Sequence, residues 1–501
     1  MTSLTPDILN VADRPEIFIG FVAPLGTPLP LVQRCVETDL QARGYEVHPI
    51  RLSELIEGVE AAHSQGSESE YHRIRTLMDR GNSLREKAGG GHALALLAAA
   101  RVNEMRPDEE HPILDGHAFV FRQLKHPEEA EWFRLIYGPA FHMIGVYAPE
   151  EERRKNLRQN GLTDEEADEL LRRDQTEGAG LGQRLRDTFH QADVFIRATG
   201  PTDATEAEIR RYLRLVFRDL TEGIDTPTRD EYGMFLAAGA ALRSADLSRQ
   251  VGAAVLAERG EVLGLGANEV PRTGGGQYRN DEESDHRDFA VGGDANAQEK
   301  QRIAEEVASQ LSDEIPELDD EAKKEVIGRV LRNSPLMDLT EFGRAVHAEM
   351  EAILSAARTG VSTCGAQLFT TTFPCHNCAK HLLDAGVQRV VYVEPYPKSK
   401  ALELHSDALR LAEARSSSGR VSATGPMVLE PFVGVAPRRY WPLFSIVDES
   451  GTRVRRKDRS GKPLEVVHGL RTERAALNYM EREAAVSAAL NRFVSSKREG
   501  E

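Results

Sequence analysis

The chain has 501 residues, 40% of them hydrophobic, which is enough for two or three domains with cores of their own. A formal net charge of −17 argues against a sequence-independent grip on a nucleic-acid backbone, while a few local Arg or Lys would still serve small anionic substrates. Four cysteines fit a reducing compartment; no apolar run approaches a membrane span and no secretory h-region opens the chain, so a soluble cytoplasmic protein is expected.

Residues 1–14 show little apolar periodicity. Glu16 to Val22 (E-I-F-I-G-F-V) is a buried-strand signal running into Ala23-Pro24-Leu25-Gly26-Thr27; a helix is expected from about Pro30 to Arg43 and a second strand through Gly44 to Ile50. Strand, glycine loop, helix, strand is a βαβ opening. In a nucleotide-binding domain that loop, with Gly20, Gly26 and Thr27, would cradle phosphates with backbone N–H groups. The Walker spacing is not met, because Gly20 and Gly26 are one residue too far apart and no Lys precedes Thr27, which counts against ATP hydrolysis. A non-binding α/β layer is the competing reading.

Strands are further expected at His117 to Gln123, Phe141 to Ala148 and Asp193 to Arg197, with a helix before Tyr137, and the alternation predicts a mostly parallel sheet. Segment 150–190 reads as charged helix, with Gln183, Arg186 and Asp187 on a helix surface. Residues 203–223 form an amphipathic helix, and a second domain begins near Thr228. A helix from about Asp230 to Ser244 leads to a hairpin, Val251 to Ala257 and Glu261 to Ala267, ended by Asn268. Segment 272–340, with its Gly274-Gly275-Gly276 run and dense charge, reads as an insertion forming a lid or contact surface, or in its first half an acidic linker. Helices are expected at Ala297 to Leu311 and Asp319 to Asn333. After a strand at Arg389 to Glu394 come a helix to about Ala414, an extended stretch from Phe432 to Tyr440, and a long helix from about Arg471 to Phe493.

The chemistry concentrates between His347 and Cys378. His347-Ala348-Glu349 precedes a helix; Gln367 to Phe373 is a buried strand stopped by Pro374; Cys375 and Cys378 then sit three apart at the start of a helix running to Ala385. Zinc takes imidazole nitrogen and thiolate sulfur, and a catalytic zinc keeps three protein ligands and a water. His347, Cys375 and Cys378 supply the three, and the helix N-terminus favours thiolates. His347 and Glu349 would face opposite ways mid-helix, so they can share a site only if the helix begins at His347. Glu349 then shuttles protons rather than binding metal. A Cys-x-x-Cys can instead be a redox pair or, closed by a fourth ligand such as Cys364, a structural zinc knuckle. The conjunction of His-x-Glu with Pro-Cys-x-x-Cys is the signature of zinc-dependent nucleobase deaminases.

Over Ser248-Arg249-Gln250-Val251-Gly252-Ala253, Asn268, His347-Ala348-Glu349, Pro374 to Lys380 and Ala385 to Tyr392, the second half resembles deoxycytidylate deaminases. With Gly20 to Thr27, Gly81-Asn82 and Arg85, Arg122 to Pro127, Gly138 to Phe141, Gly182 to Phe189 and Pro395 to Lys398 added, the whole chain is similar to bacterial anti-phage deoxycytidine-nucleotide deaminases. The resemblance implies an α/β protein: a P-loop-like parallel α/β domain with a degenerate Walker A over 1–225, and a cytidine-deaminase-like α/β/α domain over 226–501. It implies Zn2+-dependent deamination of dCTP, dCMP or both to the uracil nucleotides, draining the deoxycytidine pool in phage defence. It also implies a homo-oligomer, an inhibitory partner, and room for a regulatory nucleotide in the first domain. By the same matching Glu349 is catalytic, Asn268 contacts the deoxyribose and Arg249 lies near the phosphates. The competing functions are a deaminase of RNA or single-stranded DNA, which needs a basic aromatic track that 6% aromatics and an acidic balance disfavour, and a nucleotide sensor with a structural zinc module.

Overall fold

A run of six apolar residues with no polar face can be a strand only if both sides of its sheet are covered. Ile17–Val22 is such a strand, β1, buried at every position. The computed structural model describes residues 14–59, 69–107, 114–175, 182–200, 202–282, 284–314, 328–330, 334, 339–396, 399–412, 425–447, 453, 456–464 and 479–498. They fall into two units, one reaching to Glu231 and resuming at Val433, the other Tyr232–Phe432.

In the first unit β1 is flanked by parallel strands. β2 (Glu46–Arg51) pairs with β3 (His117–Arg122), β3 with β1, β1 with β4 (Phe141–Tyr147), and β4 with β5 (Val194–Arg197). Alternation divides the core: Ile17, Ile19 and Phe21 pack with Val32 and Val36 of the helix Leu29–Ala42 and with Ile209 and Leu213 of the helix Thr202–Phe217. Phe18 faces the other way, stacking on Tyr137 at 3.7 Å and Phe119 at 5.3 Å between ring centroids. The parallel sheet read from the sequence is present.

The C-terminal boundary differs from the expectation of one domain over 226–501. Gly434–Val435 adds antiparallel to β5, and the helix Tyr479–Arg498 packs on the helix Ala93–Glu104, so the chain returns to the first unit after Phe432. Two buried contacts hold the return. Glu231 pairs with Arg211 at 2.8 Å and accepts the Val435 N–H at 2.8 Å. Arg106 donates to Glu483 at 2.6 Å and to Glu16 at 2.7 Å. The stretch expected to be extended through Tyr440 becomes a helix at Pro437–Phe444, because proline at a first helical position loses no hydrogen bond. Residues 471–478 of the expected tail helix, and most of that at Asp319 to Asn333, lie outside the described residues.

In the second unit the expected hairpin forms β6 (Gly252–Leu256) and β7 (Val262–Ala267), antiparallel to each other. β6 also pairs antiparallel with β8 (Gln367–Thr372), and β9 (Arg389–Glu394) lies parallel to β8. Two strands the sequence reading did not anticipate complete the sheet, β10 (Leu409–Leu411) and β11 (Met427–Pro431), in the order β10-β11-β9-β8-β6-β7. The helix expected to reach Ala414 ends at Leu404. The helices Ala348–Arg358 and His376–Asp384 contribute Ala352, Ala379 and Leu382 to one face of the sheet, beside Val255, Leu368 and Val390. On the other face a Cβ at Gly233, in the helix Arg229–Ala241, would meet the Phe369 ring at 2.4 Å. Helices on both faces make this unit α/β/α.

Candidate active site

Two glycines of β7 set how deeply the site can be drawn into the unit. A Cβ on Gly266 would lie 2.0 Å from the Ala348 carbonyl oxygen, and one on Gly264 would lie 2.1 Å from that of Ala352. Only glycine lets the helix Ala348–Arg358 approach the sheet this closely. Its first residue follows His347, whose extended backbone (φ −64°, ψ 151°) caps the helix. That meets the condition set by the two-residue spacing: the imidazole leaves from the cap, Glu349 leaves from the first turn, and both reach one point. Glu349 is buried at 4% exposure, with its Oε2 3.5 Å from the Cys378 Sγ.

The second half of the site comes from the end of β8. Pro374 stops the strand, and Cys375 caps the helix His376–Asp384 by accepting the Cys378 N–H at 3.4 Å. His347 Nδ1 then lies 3.4 Å from the Cys375 Sγ and 3.3 Å from the Cys378 Sγ. A tetrahedral zinc with nitrogen at about 2.0 Å and sulfur at about 2.3 Å sets N···S edges of about 3.5 Å. The cluster therefore has the size a zinc ion requires. Its electrostatics agree. The hydrogen bond from Cys378, aided by His347, holds the Cys375 thiol down at about 4. The Cys375 thiolate in turn raises His347 to about 9, and together with burial pushes the Cys378 thiol well up. Protons on Nδ1 and on Cys378 thus compete for the place of a cation, the usual relation between metal and proton at such ligands. Burial, and then the Cys375 charge, raise the Glu349 carboxyl.

Cys364, the fourth ligand a closed structural site would need, is exposed and lies against Gly386, outside the cluster. Three ligands and an open side remain. That side gives onto a cavity of about 410 Å³ whose wall includes His347, Glu349 and Cys375. Asn268 and Arg249 also line it. The Asn268 side chain is largely committed to the backbone, accepting the Val251 N–H at 2.7 Å and donating to the Arg249 carbonyl at 2.9 Å, which leaves one amide proton for a ligand. Arg249, half exposed, pairs with Glu394 at 3.3 Å. The insertion adds Asp288 and Lys300 to the wall, and Arg344 follows it. None of these was singled out in the sequence; the helix expected at Ala297 to Leu311 is present as Ala295–Glu314.

In the first unit the strand β1 and the loop after it lie where the sequence placed them. Gly20 lies inside β1, where a Cβ would meet the Phe141 ring at 2.7 Å, so packing accounts for it. Gly26 has φ +81°, and its carbonyl accepts Asn156 Nδ2 at 3.0 Å. The neighbouring Leu25 N–H is taken by Asp174 at 2.6 Å, while the Thr27 hydroxyl is buried without a partner among the described residues. A second His and carboxylate group in this unit, Glu46, His48 and His117, has the two imidazoles hydrogen-bonded to each other at 2.7 Å.

A buried carboxylate stands beside a His/Cys/Cys cluster that opens on a cavity in an α/β/α layer, the donor set of a three-ligand zinc centre with a proton-carrying group next to it. Residues 227–394 match the family described as the cytidine and deoxycytidylate deaminase zinc-binding region, and zinc is accordingly the metal of this cluster. The deoxycytidylate deaminase of Enterobacteria phage T2 is 47% identical over 55 residues, 11% of this chain and 29% of that protein. ComE operon protein 2 of Bacillus subtilis (strain 168) is 45% identical over 53 residues, 11% of this chain and 28% of that protein. The chain thus spans under a third of the length of these curated relatives. The crystal structure of dCMP deaminase from the cyanophage S-TIM5 in complex with dCMP and dUMP aligns over 42% of this chain and all of that one, at 19% identity and a TM-score of 0.23, a likeness too slight to bear on the assignment. Among the described residues no helix is long and apolar enough to cross a membrane.

Proposed function

We propose that the Tyr232–Phe432 unit hydrolytically deaminates deoxycytidine nucleotides, dCMP and dCTP both being substrates. The observation that carries this reading is Glu349: a buried carboxylate on the first turn of its helix, 3.5 Å from a cluster sulfur and on the wall of an open cavity. His347, Cys375 and Cys378 would hold a zinc ion, which when bound would supply an activated water as nucleophile for C4 of the pyrimidine. Glu349 takes the proton of the attacking water on a carboxylate oxygen, passes it to ring N3, and carries the second proton to the departing amine. Burial favours the protonated carboxyl that this transfer requires. Asn268 holds the strand end and offers its remaining amide proton to the sugar, and Arg249 exchanges Glu394 for a substrate phosphate.

The cavity wall carries Asp246, Asp288 and Asp294 beside its cations, a surface that suits one nucleotide and repels a strand of phosphates. That supports a free nucleotide over RNA or single-stranded DNA. The wider role, depletion of the deoxycytidine pool during phage infection by an oligomer under a restraining partner, rests on the resemblance of the whole chain to the anti-phage enzymes.

The test is a panel of dCMP, dCTP, CMP, CTP, deoxycytidine and a cytosine-containing oligonucleotide, incubated with zinc-loaded protein and resolved by chromatography. Uracil products are expected from dCMP and dCTP and not from the Glu349→Ala variant. Products from the oligonucleotide alone overturn the reading. Elemental analysis of His347→Ala and Cys375→Ala checks the ligands, with zinc content expected to fall in both.

A further inference from the structure

Among the described residues, Arg51, Arg73, Arg85, Arg122 and Lys125 line a cavity of about 380 Å³ in the first unit, with no carboxylate on its wall. This happens in a chain whose net charge is −17. Two of the five are already neutralised in the interior: Arg85 by Glu129 at 2.8 Å and Lys125 by Asp174 at 2.5 Å. The other three are differently placed. Arg51 ends β2 and Arg122 ends β3, and the parallel register sets them side by side. Two guanidinium groups on adjacent strands repel each other, increasingly so as water is removed. Arg122 is half-buried; its hydrogen bond, long at 3.4 Å, goes to the neutral Gln33, and among the described residues it has no carboxylate within ion-pair distance. Among the described residues Arg51 and Arg73 hold only the surface carboxylates Glu54 and Glu70, exposed pairs that a bound anion can displace. The lining also includes the apolar side chains of Ile56, Leu77 and Met78.

The cavity lies at the carboxyl ends of β2 and β3, beside β1, where the strand order reverses: β1 stands between β3 and β4. The carboxyl ends of parallel strands at such a reversal are where open α/β sheets bind ligands. We propose that this cavity is a second ligand site, separate from the zinc-centred one, and that it takes a nucleoside phosphate: the phosphates between Arg51, Arg73 and Arg122, the base and sugar against Ile56, Leu77 and Met78. The residues that hold the ligand are these arginines and not the Gly26-Thr27 loop, of which only Leu25 borders the cavity. The inference stands whether or not the other unit is a deaminase.

Isothermal titration of the full-length, zinc-loaded Glu349→Ala protein with ATP, GTP and thymidine triphosphate, and with inorganic tripolyphosphate, tests it. At least one nucleotide is expected to bind at one per chain. Arg122→Gln and Arg51→Ala should each weaken it about tenfold or more, the usual scale for losing a charge-assisted phosphate contact. Arg249→Ala, in the other unit, should leave it unchanged. Thermal unfolding serves as the folding control: removing one of two repelling arginines should hold or raise Tm without ligand, and the nucleotide should raise Tm less in the arginine variants than in the parent. No binding of any nucleotide, binding unchanged in both arginine variants, or binding weakened by Arg249→Ala overturns the proposal. Tripolyphosphate binding as tightly as the nucleotides overturns the nucleoside assignment, because the apolar wall then takes no part.

Discussion

Replacing Glu349 by glutamine removes one function and leaves the shape. The side chain is 4% exposed, so no bulk water can stand in for its carboxylate as a proton carrier. Its Oε2 is 3.5 Å from the Cys378 Sγ, so an isosteric amide keeps the packing around the cluster. Positioned general acid–base catalysis contributes about 10²–10⁴-fold, or about 2.7–5.4 kcal/mol of barrier. Turnover of dCMP should fall by at least the lower figure. Stability should move the other way. Desolvation raises the Glu349 carboxyl, so the folded state is penalised for any charge held there, and a neutral amide of the same volume carries no such penalty. The expected result is a large loss in kcat, unchanged zinc content, and an equal or higher Tm. Single-turnover rates, elemental analysis and thermal unfolding on the same preparation read the three quantities. Near-normal turnover would refute the proton-carrier role. Loss of zinc together with activity would refute the separation of Glu349 from the ligands.

Gly266→Ala places a Cβ against the backbone of the helix that carries Glu349, 2.0 Å from the Ala348 oxygen and 2.4 Å from the Ala352 nitrogen. The helix must shift, at about 1–3 kcal/mol of stability and with a fall in kcat, whereas Gly239→Ala, which meets nothing within 4 Å, should preserve turnover. Arg106→Met leaves the carboxylates of Glu16 and Glu483 buried without their cation and should cost about 3–5 kcal/mol in urea unfolding; a loss under 1 kcal/mol would contradict the network. His142 in β4 is buried and held down at about 3, chiefly by desolvation. Between its ordinary value of 6.5 and about 3 the unfolded chain takes up a proton that the folded chain does not, so stability falls as pH falls through that window. From pH 7 to pH 5 this contributes a loss of about 2 kcal/mol, absent in His142→Asn; equal acid losses in the two proteins would show that His142 plays no part.

What could be read in advance depended on how far apart in sequence the cooperating residues lie. β1 is a continuous apolar run and β4 is one interrupted only by His142, because helices cover both faces of their sheet, and the zinc ligands are set by short spacings around two helix starts, so both were legible. β10 is three residues with two of them exposed, and β11 runs into Pro431, so neither shows the alternation of a half-buried strand. The return of the chain to the first unit is carried by contacts such as Arg106 with Glu483, 377 residues apart, which no local pattern records.

The two cavities lined by His347 and by Arg122 sharpen the same distinction. The zinc site announces itself because it needs side chains at fixed distances, and His347 with Glu349 and Cys375 with Cys378 come in pairs from a helix cap and its first turn. A phosphate site built from side chains has no such need. The Walker spacing is a local signal because backbone N–H groups of consecutive residues do the binding, and here one of them, that of Leu25, is already held by the carboxylate of Asp174. Arg51 and Arg122 are brought together by the β2–β3 register alone, across 71 positions, and Arg73 joins them from the helix Glu70–Ala88. A one-residue slip of that register would turn one arginine to the opposite face of the sheet and dissolve the pair. The unmet Walker spacing therefore removes one local signal and leaves the proposed side-chain site untouched. The proposed nucleotide site rests instead on the strand pairing that sets Arg122, without a carboxylate partner among the described residues, beside Arg51, which holds only the exposed Glu54.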